Sequence, residues 1–273
     1  MICGNIEIWE NGEYNGADKD FKPILATYVL KDNGKKGAVL ICPGGGYGMT
    51  SWREAESIAI EFNRAGYNAF VLYYSVAPNK HPQPIYDVTR AMCIIREMAQ
   101  EWNVDSDKIA VIGFSAGGHL AGSLGVHFNK PYLLDVPRME SGKNKPNALI
   151  LSYPVVTGGE FAHRGSFDNL IGKDASIEMI EEMSLEKQVS KDTPPTFLWH
   201  TFSDTSVPVE NSLLFANALR KNDIPFEMHI YPDGGHGLSL ASEVTCDGNE
   251  DYINPHVATW IKLCTEWLGM VFK

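Results

Sequence analysis

Six short apolar runs recur along the chain, at 38–42, 69–74, 109–113, 148–153, 196–200 and 226–231. Most are apolar at every position rather than at every second one. A strand with one wet face alternates, whereas a strand covered on both faces does not. The runs therefore predict a mostly parallel sheet with helices on both sides. The stretches between them carry a helical period. Residues 54–65 put Ile58, Phe62 and Ala65 on one side and stop at Gly66. Residues 85–102 space Val88, Met92, Ile95 and Ala99 by three and four. Further helices are predicted over 116–127, over 210–221 with Leu213, Leu214 and Leu219, and over 255–268 with Trp260, Leu263, Cys264 and Trp267. Such alternation predicts an α/β fold with right-handed crossovers. Segments 5–9 and 24–30 have no helix between them and are expected as antiparallel strands at one edge.

One stretch, 154–195, breaks this rhythm by separating two strands with about forty residues, a length usually kept for a functional insertion. It contains Gly158-Gly159, a short helical pattern near 177–183 and Thr193-Pro194-Pro195. It is too small for a core of its own, so the expectation is one domain over 1–273 with a lid-like insertion.

Composition narrows the function classes. Of 273 residues, 44% are hydrophobic and 21% charged, which excludes a disordered or collagen-like chain. The formal net charge of −11 leaves no basic footprint, so neither nucleic acid nor an anionic membrane surface is an expected partner. The five cysteines are odd in number and form no CxxC pair, against a zinc ribbon or a disulfide scaffold. Free thiols suit a reducing compartment, and the first nine residues lack a basic, then apolar, leader pattern. A cytoplasmic location is therefore expected, with no metal and no organic cofactor.

The chemistry begins at Gly113-Phe114-Ser115-Ala116-Gly117, a G-x-S-x-G pattern between a predicted strand and a predicted helix. Small flanking residues let strand and helix close on each other, so the serine hydroxyl projects above the sheet. A phosphate-binding turn would instead read G-x-G-x-x-G or G-x-x-x-x-G-K-[ST], and neither is present. Ser115 is the expected nucleophile. Pro43-Gly44-Gly45-Gly46-Tyr47 directly follows another buried strand. Glycines allow close backbone approach, and the N–H groups of Gly45, Gly46 and Ala116 are the candidates for an oxyanion hole.

Downstream of such an elbow the expected order is serine, acid, histidine. Among eight histidines, His200 and His229 fall inside strand runs, His119 lies on the helix after Ser115, and His127 and His256 read as helical. His81 and His163 lie in loops ahead of the final strand. His236, in Gly234-Gly235-His236-Gly237 just after that strand, is the expected base. Asp204, shortly after the strand run at 196–200, is the expected acid. Asp233 is the rival, but three residues before the histidine it suits its own turn better.

Together these segments resemble the α/β-hydrolase superfamily in its small esterase branch. Pro43 to Tyr47, Gly113 to Leu120, Trp199 through Asp204 to Ser212, and Gly234 to Gly237 are similar to those of bacterial acetylesterases, of the acetyl-xylan-esterase-like or lipase/esterase kind. The resemblance spans about 40–267 and implies Ser115, Asp204 and His236 as a triad that deacylates small esters, often acetyl groups on plant-cell-wall sugars. It departs from the hormone-sensitive-lipase branch, which has histidine where this chain has Pro43 and which carries an N-terminal cap. The first 35 residues here are too short for that cap, so the 154–195 insertion is expected to cover the site. Its Glu160, Phe161, His163, Arg164, Phe167 and Asp168 suit a polar, aromatic rim for a sugar. The same triad would also serve an arylformamidase, an amidase or a small peptidase. A catalytically silent binding protein on this fold is the remaining alternative.

Overall fold

The structure, a computed structural model, describes residues 2–10, 12–31, 34–137 and 139–273. Eight strands form one sheet in the order β1-β2-β4-β3-β5-β6-β7-β8. Strand β1 (Ile2–Glu7) pairs antiparallel with β2 (Ile24–Val29), and β2 pairs antiparallel with β4 (Asn68–Tyr73). The others run parallel: β3 (Lys36–Cys42), β5 (Val104–Phe114), β6 (Ala148–Ser152), β7 (Thr196–Thr201) and β8 (Phe226–Tyr231). All six apolar runs are strands, and the two early segments form the antiparallel edge. The first of these ends at Glu7 rather than at residue 9, because Trp9 turns inward and donates its indole N–H to buried Asp87 at 2.8 Å.

The unbroken apolar runs have a direct cause. Leu40, Phe70, Val111, Leu149 and Leu198 point to one face, against α2 (Gln83–Glu97), α3 (Ala116–His127) and α6 (Glu210–Lys221). Their neighbours Val39, Val71, Ile112, Ile150 and Phe197 point to the other, against α1 (Glu56–Arg64) and α7 (Trp260–Val271). Alternate residues thus serve two separate cores, and the few polar side chains buried in the strands, such as Asn68, Ser152 and His200, are hydrogen-bonded.

Five helical expectations need correction. Helix α2 ends at Glu97, five residues before Trp102. On α6 the buried face is formed by Asn211, Ser212, Phe215, Ala216 and Leu219, while Leu213 is 39% exposed. Ala65 is exposed beyond the end of α1, and the first predicted turn of that helix is a 3₁₀ turn, Trp52–Glu54. The last helix begins at Trp260 after a 3₁₀ turn at Val257–Thr259. The insertion holds two helices rather than one, α4 (Arg164–Ile171) and α5 (Ile177–Met183). The first was invisible because Gly165 and four polar residues leave Phe167, Leu170 and Ile171 as its only apolar signal.

From β3 the chain crosses by α1 to β4 on one side, then returns by α2 to β5 on the other. The loops after β3 and β5 therefore part company, and a crevice opens at the carboxyl ends of the strands.

Candidate active site

Ser115 sits in that crevice, between the end of β5 and the start of α3. Its φ of 53° lies in the left-handed region, strained for a residue with a side chain. The strain is held by its surroundings. Its N–H donates to Ser152 O at 3.0 Å, and its carbonyl accepts from Val155 N at 3.0 Å and His119 N at 3.1 Å. The flanking glycines are obligatory: a Cβ on Gly113 would meet the carbonyl of Gly117, and one on Gly117 would meet those of Cys42 and Pro43. Strand and helix thus touch backbone to backbone, and the hydroxyl is left facing out.

His236 meets this hydroxyl, with Nε2 2.7 Å from Ser115 Oγ and Nδ1 2.6 Å from Asp204 Oδ2. Asp204 Oδ1 accepts the N–H groups of Ser206 and Val207, both at 2.9 Å. Burial pushes this carboxyl up, but hydrogen bonds from His200 and His236, the charge of His236 and the Val207 N–H outweigh it and hold it well below the usual carboxylate range. An ionised carboxylate only accepts, so Nδ1 carries the imidazole proton and Nε2 is free to accept the serine hydrogen. Asp233 is exposed and its carboxylate reaches nothing in the relay. His200 is fully buried on Ser212 Oγ and Val207 O, with Nε2 3.4 Å from Asp204 Oδ2.

Gly45 and Gly46, with φ of 123° and 64°, line the same cleft as Ser115. Their N–H groups donate to nothing among the described residues. The N–H of Ala116 heads α3, where no helical carbonyl precedes it. The three predicted donors are thus placed with the serine.

Two residues at this site gave no motif signal, Glu54 and Tyr153. The Glu54 carboxylate is 4% exposed and accepts Gly44 N–H at 2.7 Å and Tyr153 O–H at 2.6 Å. Burial pushes Glu54 up from its ordinary range, and those two donors, His236 and Arg53 pull it back. Tyr153 (φ 36°) accepts Ser239 N–H at 3.0 Å and sets its ring edgewise to His236, centroids 5.1 Å apart. Glu54 therefore ties the glycine loop to the segments that carry the imidazole. In the sequence it reads as an ordinary helix-start acid, and Tyr153 as the end of a strand.

The cleft has a volume of about 320 Å³ and includes Met49, Ser51, Arg53, His163, Ser206 and Tyr252 in its walls. Of the six insertion residues expected at a rim, only His163 lines it. Arg164 instead binds the carbonyls of Gly158 and Gly159, and Phe167 is buried with its ring against His119. Among the described residues no group of three or more His, Cys, Asp or Glu could hold a metal ion, and no helix is long and apolar enough to cross a membrane.

Comparison with known proteins matches residues 26–219 to the family model described as BD-FAE. The chain is 44% identical over 246 residues to endo-1,4-beta-xylanase B of Butyrivibrio fibrisolvens, covering 86% of this chain and 38% of that protein. It is 30% identical over 239 residues to the acetylxylan esterase of Xylanibacter ruminicola, covering 85% and 47% respectively. The chain thus spans less than half the length of either relative. Among solved structures, the acetyl ester-xyloside bifunctional hydrolase of Caldicellulosiruptor lactoaceticus superposes with a TM-score of 0.88 at 39% identity, covering 98% of this chain and 96% of that one.

Proposed function

The chain belongs to the BD-FAE family of α/β hydrolases, and we propose that it is a serine esterase that removes short acyl groups, acetyl foremost, from carbohydrate esters. The observation that carries this reading is the unbroken relay from Asp204 through His236 to Ser115 at the floor of an open cleft. Ser115 Oγ attacks the ester carbonyl as His236 Nε2 takes its proton. The carbonyl oxygen, now negative, is stabilised by the N–H groups of Gly45, Gly46 and Ala116. His236 returns the proton to the departing alcohol oxygen, and Asp204 stabilises the imidazolium in between. Water, activated by the same imidazole, then releases the acid.

Two features support the short acyl group. No long apolar groove leads from Ser115 among the described cleft residues. The apolar hollow behind the glycine loop, lined by Tyr47, His119, Val155, Phe167 and Leu170, is too small to hold a water molecule. The sugar alcohol is supported by the relatives named as acetylxylan esterase and acetyl ester-xyloside hydrolase. The test is titration with a serine-directed fluorophosphonate alongside Ser115→Ala. One equivalent of label on Ser115 is expected, and the variant should fold yet lose about 10⁴–10⁶ in kcat on 4-nitrophenyl acetate. Retention of more than about a tenth of the rate would overturn the assignment, since no triad serine is that dispensable.

A further inference from the structure

Arg53 takes no part in the steps above, yet it is the only basic side chain other than histidine among the described residues that line the cleft. Its guanidinium is fixed from two sides. Nε donates to Thr245 O at 2.5 Å, and the carbon at its centre lies 3.8 Å from the ring centroid of Tyr252. Its own carbonyl accepts the Ser239 hydroxyl at 2.6 Å. Among the described residues no carboxylate reaches it in an ion pair, although its charge acts on buried Glu54. Nη2 is shielded from solvent without a hydrogen-bond partner. Nη1 also has no partner but is not shielded, and it lies beside Gly237: a Cβ there would be 4.0 Å from it. A cation held this firmly, with an accessible donor left over, is prepared for an acceptor from outside.

Its place decides which part of the substrate it meets. The proton for the leaving oxygen comes from His236, so the alcohol departs on the His236 side, where Gly237 and Arg53 lie. The only carboxylate in the cleft wall, Glu54, is engaged with Gly44 and Tyr153 rather than facing the ligand. The chain as a whole carries −11 and repels anions at long range. A preference for an anion here must therefore come from direct contact rather than from steering.

We propose that Arg53 selects esters whose alcohol portion carries a carboxylate, as a uronic-acid-substituted sugar or a carboxylated phenol would. This rests on the esterase reading of Ser115. The probes are 4-acetoxybenzoate and 4-acetoxybenzamide, which each hold one ester bond and differ in the charge on the alcohol portion. The readout is the ratio of their kcat/KM values, charged over neutral, in the parent, Arg53→Lys and Arg53→Met. The ratio is expected to fall about tenfold or more in Arg53→Met, largely through KM, and to be partly kept in Arg53→Lys, since a charge-assisted contact is lost in one and weakened in the other. The ratio cancels the fraction of active enzyme, since both probes are read on the same preparation, which covers a variant that folds poorly. A ratio unmoved by Arg53→Met overturns the proposal. Hydrolysis of both probes that survives Ser115→Ala would instead overturn the esterase reading. Acetylated xylo-oligosaccharides with and without a uronic acid branch then distinguish the two sources of the carboxylate: a charged-branch preference lost in Arg53→Met assigns the sugar, and its absence assigns the phenol.

Discussion

Replacing Glu54 with glutamine separates the chemistry of the relay from the geometry of the glycine loop. Both oxygens of Glu54 are used, one by Gly44 N–H at 2.7 Å and one by Tyr153 O–H at 2.6 Å. Glutamine offers one acceptor oxygen and two donor hydrogens, so one of those donors must lose its partner. A buried donor left alone costs about 1–3 kcal/mol. Relief from burying a charge offsets part of this, so only a small change in melting temperature is expected. The effect on rate is larger. If Gly44 loses its anchor, Gly45 and Gly46 no longer aim at a fixed point, and losing one oxyanion donor outright costs about 10²–10³ in kcat. A displaced rather than deleted donor should cost about 10–100-fold, with KM little changed. Stability should carry a matching sign. The folded pKa of Glu54 lies above its ordinary value, so the parent binds more protons folded than unfolded in that window and loses stability as pH rises through it. Glu54→Gln lacks that slope. The assay is steady-state hydrolysis of 4-nitrophenyl acetate with denaturation curves at several pH values. A kcat within about threefold of the parent's would refute the argument, since misplaced donors at this site cost more than that.

Asp204→Asn should lower kcat by about 10⁴ by presenting the wrong imidazole tautomer, while Asp233→Asn should stay close to the parent; steady-state rates that reverse this order would reassign the acid. Across 4-nitrophenyl esters, kcat/KM is expected to be highest for acetyl and to fall about tenfold or more by octanoyl, about 1.4 kcal/mol of transition-state binding, and Phe167→Ala should flatten that decline by opening the hollow behind the glycine loop. Burial pushes His119 down to about 4 from an ordinary 6.5. The unfolded chain therefore binds the extra proton between those values, and stability should fall on acidification through that window by on the order of 3 kcal/mol. Urea denaturation at pH 7 and pH 5 checks this, and His119→Gln should show a shallower loss.

The sequence is most legible where the chemistry constrains the chain locally. Ser115 needs small neighbours on both sides, His236 needs a glycine loop after a strand, and Asp204 needs a strand end before it. Each leaves a mark within a few residues. Glu54 leaves none, because its partners, Gly44 and Tyr153, are brought to it by β3 and β6, and nothing adjacent to it is unusual. The α6 face misled for a related reason. Leu213 is as apolar as Phe215, but Asn211 points inward to accept the N–H groups of Val156 and Thr157 at 2.9 and 3.1 Å and so sets the rotation of the helix. A buried asparagine engaged by a distant strand end cannot be told from a solvated one by periodicity.

The parts of the site hang from successive strand ends: the glycine loop from β3, Ser115 from β5, Tyr153 from β6, Asp204 from β7, and His236 with Ser239 from β8. The last of these pieces is also the last made. A nascent chain that has emerged as far as Asp204 already holds the elbow, the glycine loop and the acid, yet it contains no base. The imidazole arrives only when β8 has docked at the edge of the sheet, and Trp260, on the helix after it, donates its indole N–H to the carbonyl of Ser239 in the same loop at 2.8 Å. In the proposed relay the serine is therefore made early and paired late, so that the completed fold, rather than any earlier fragment of it, would be the reagent.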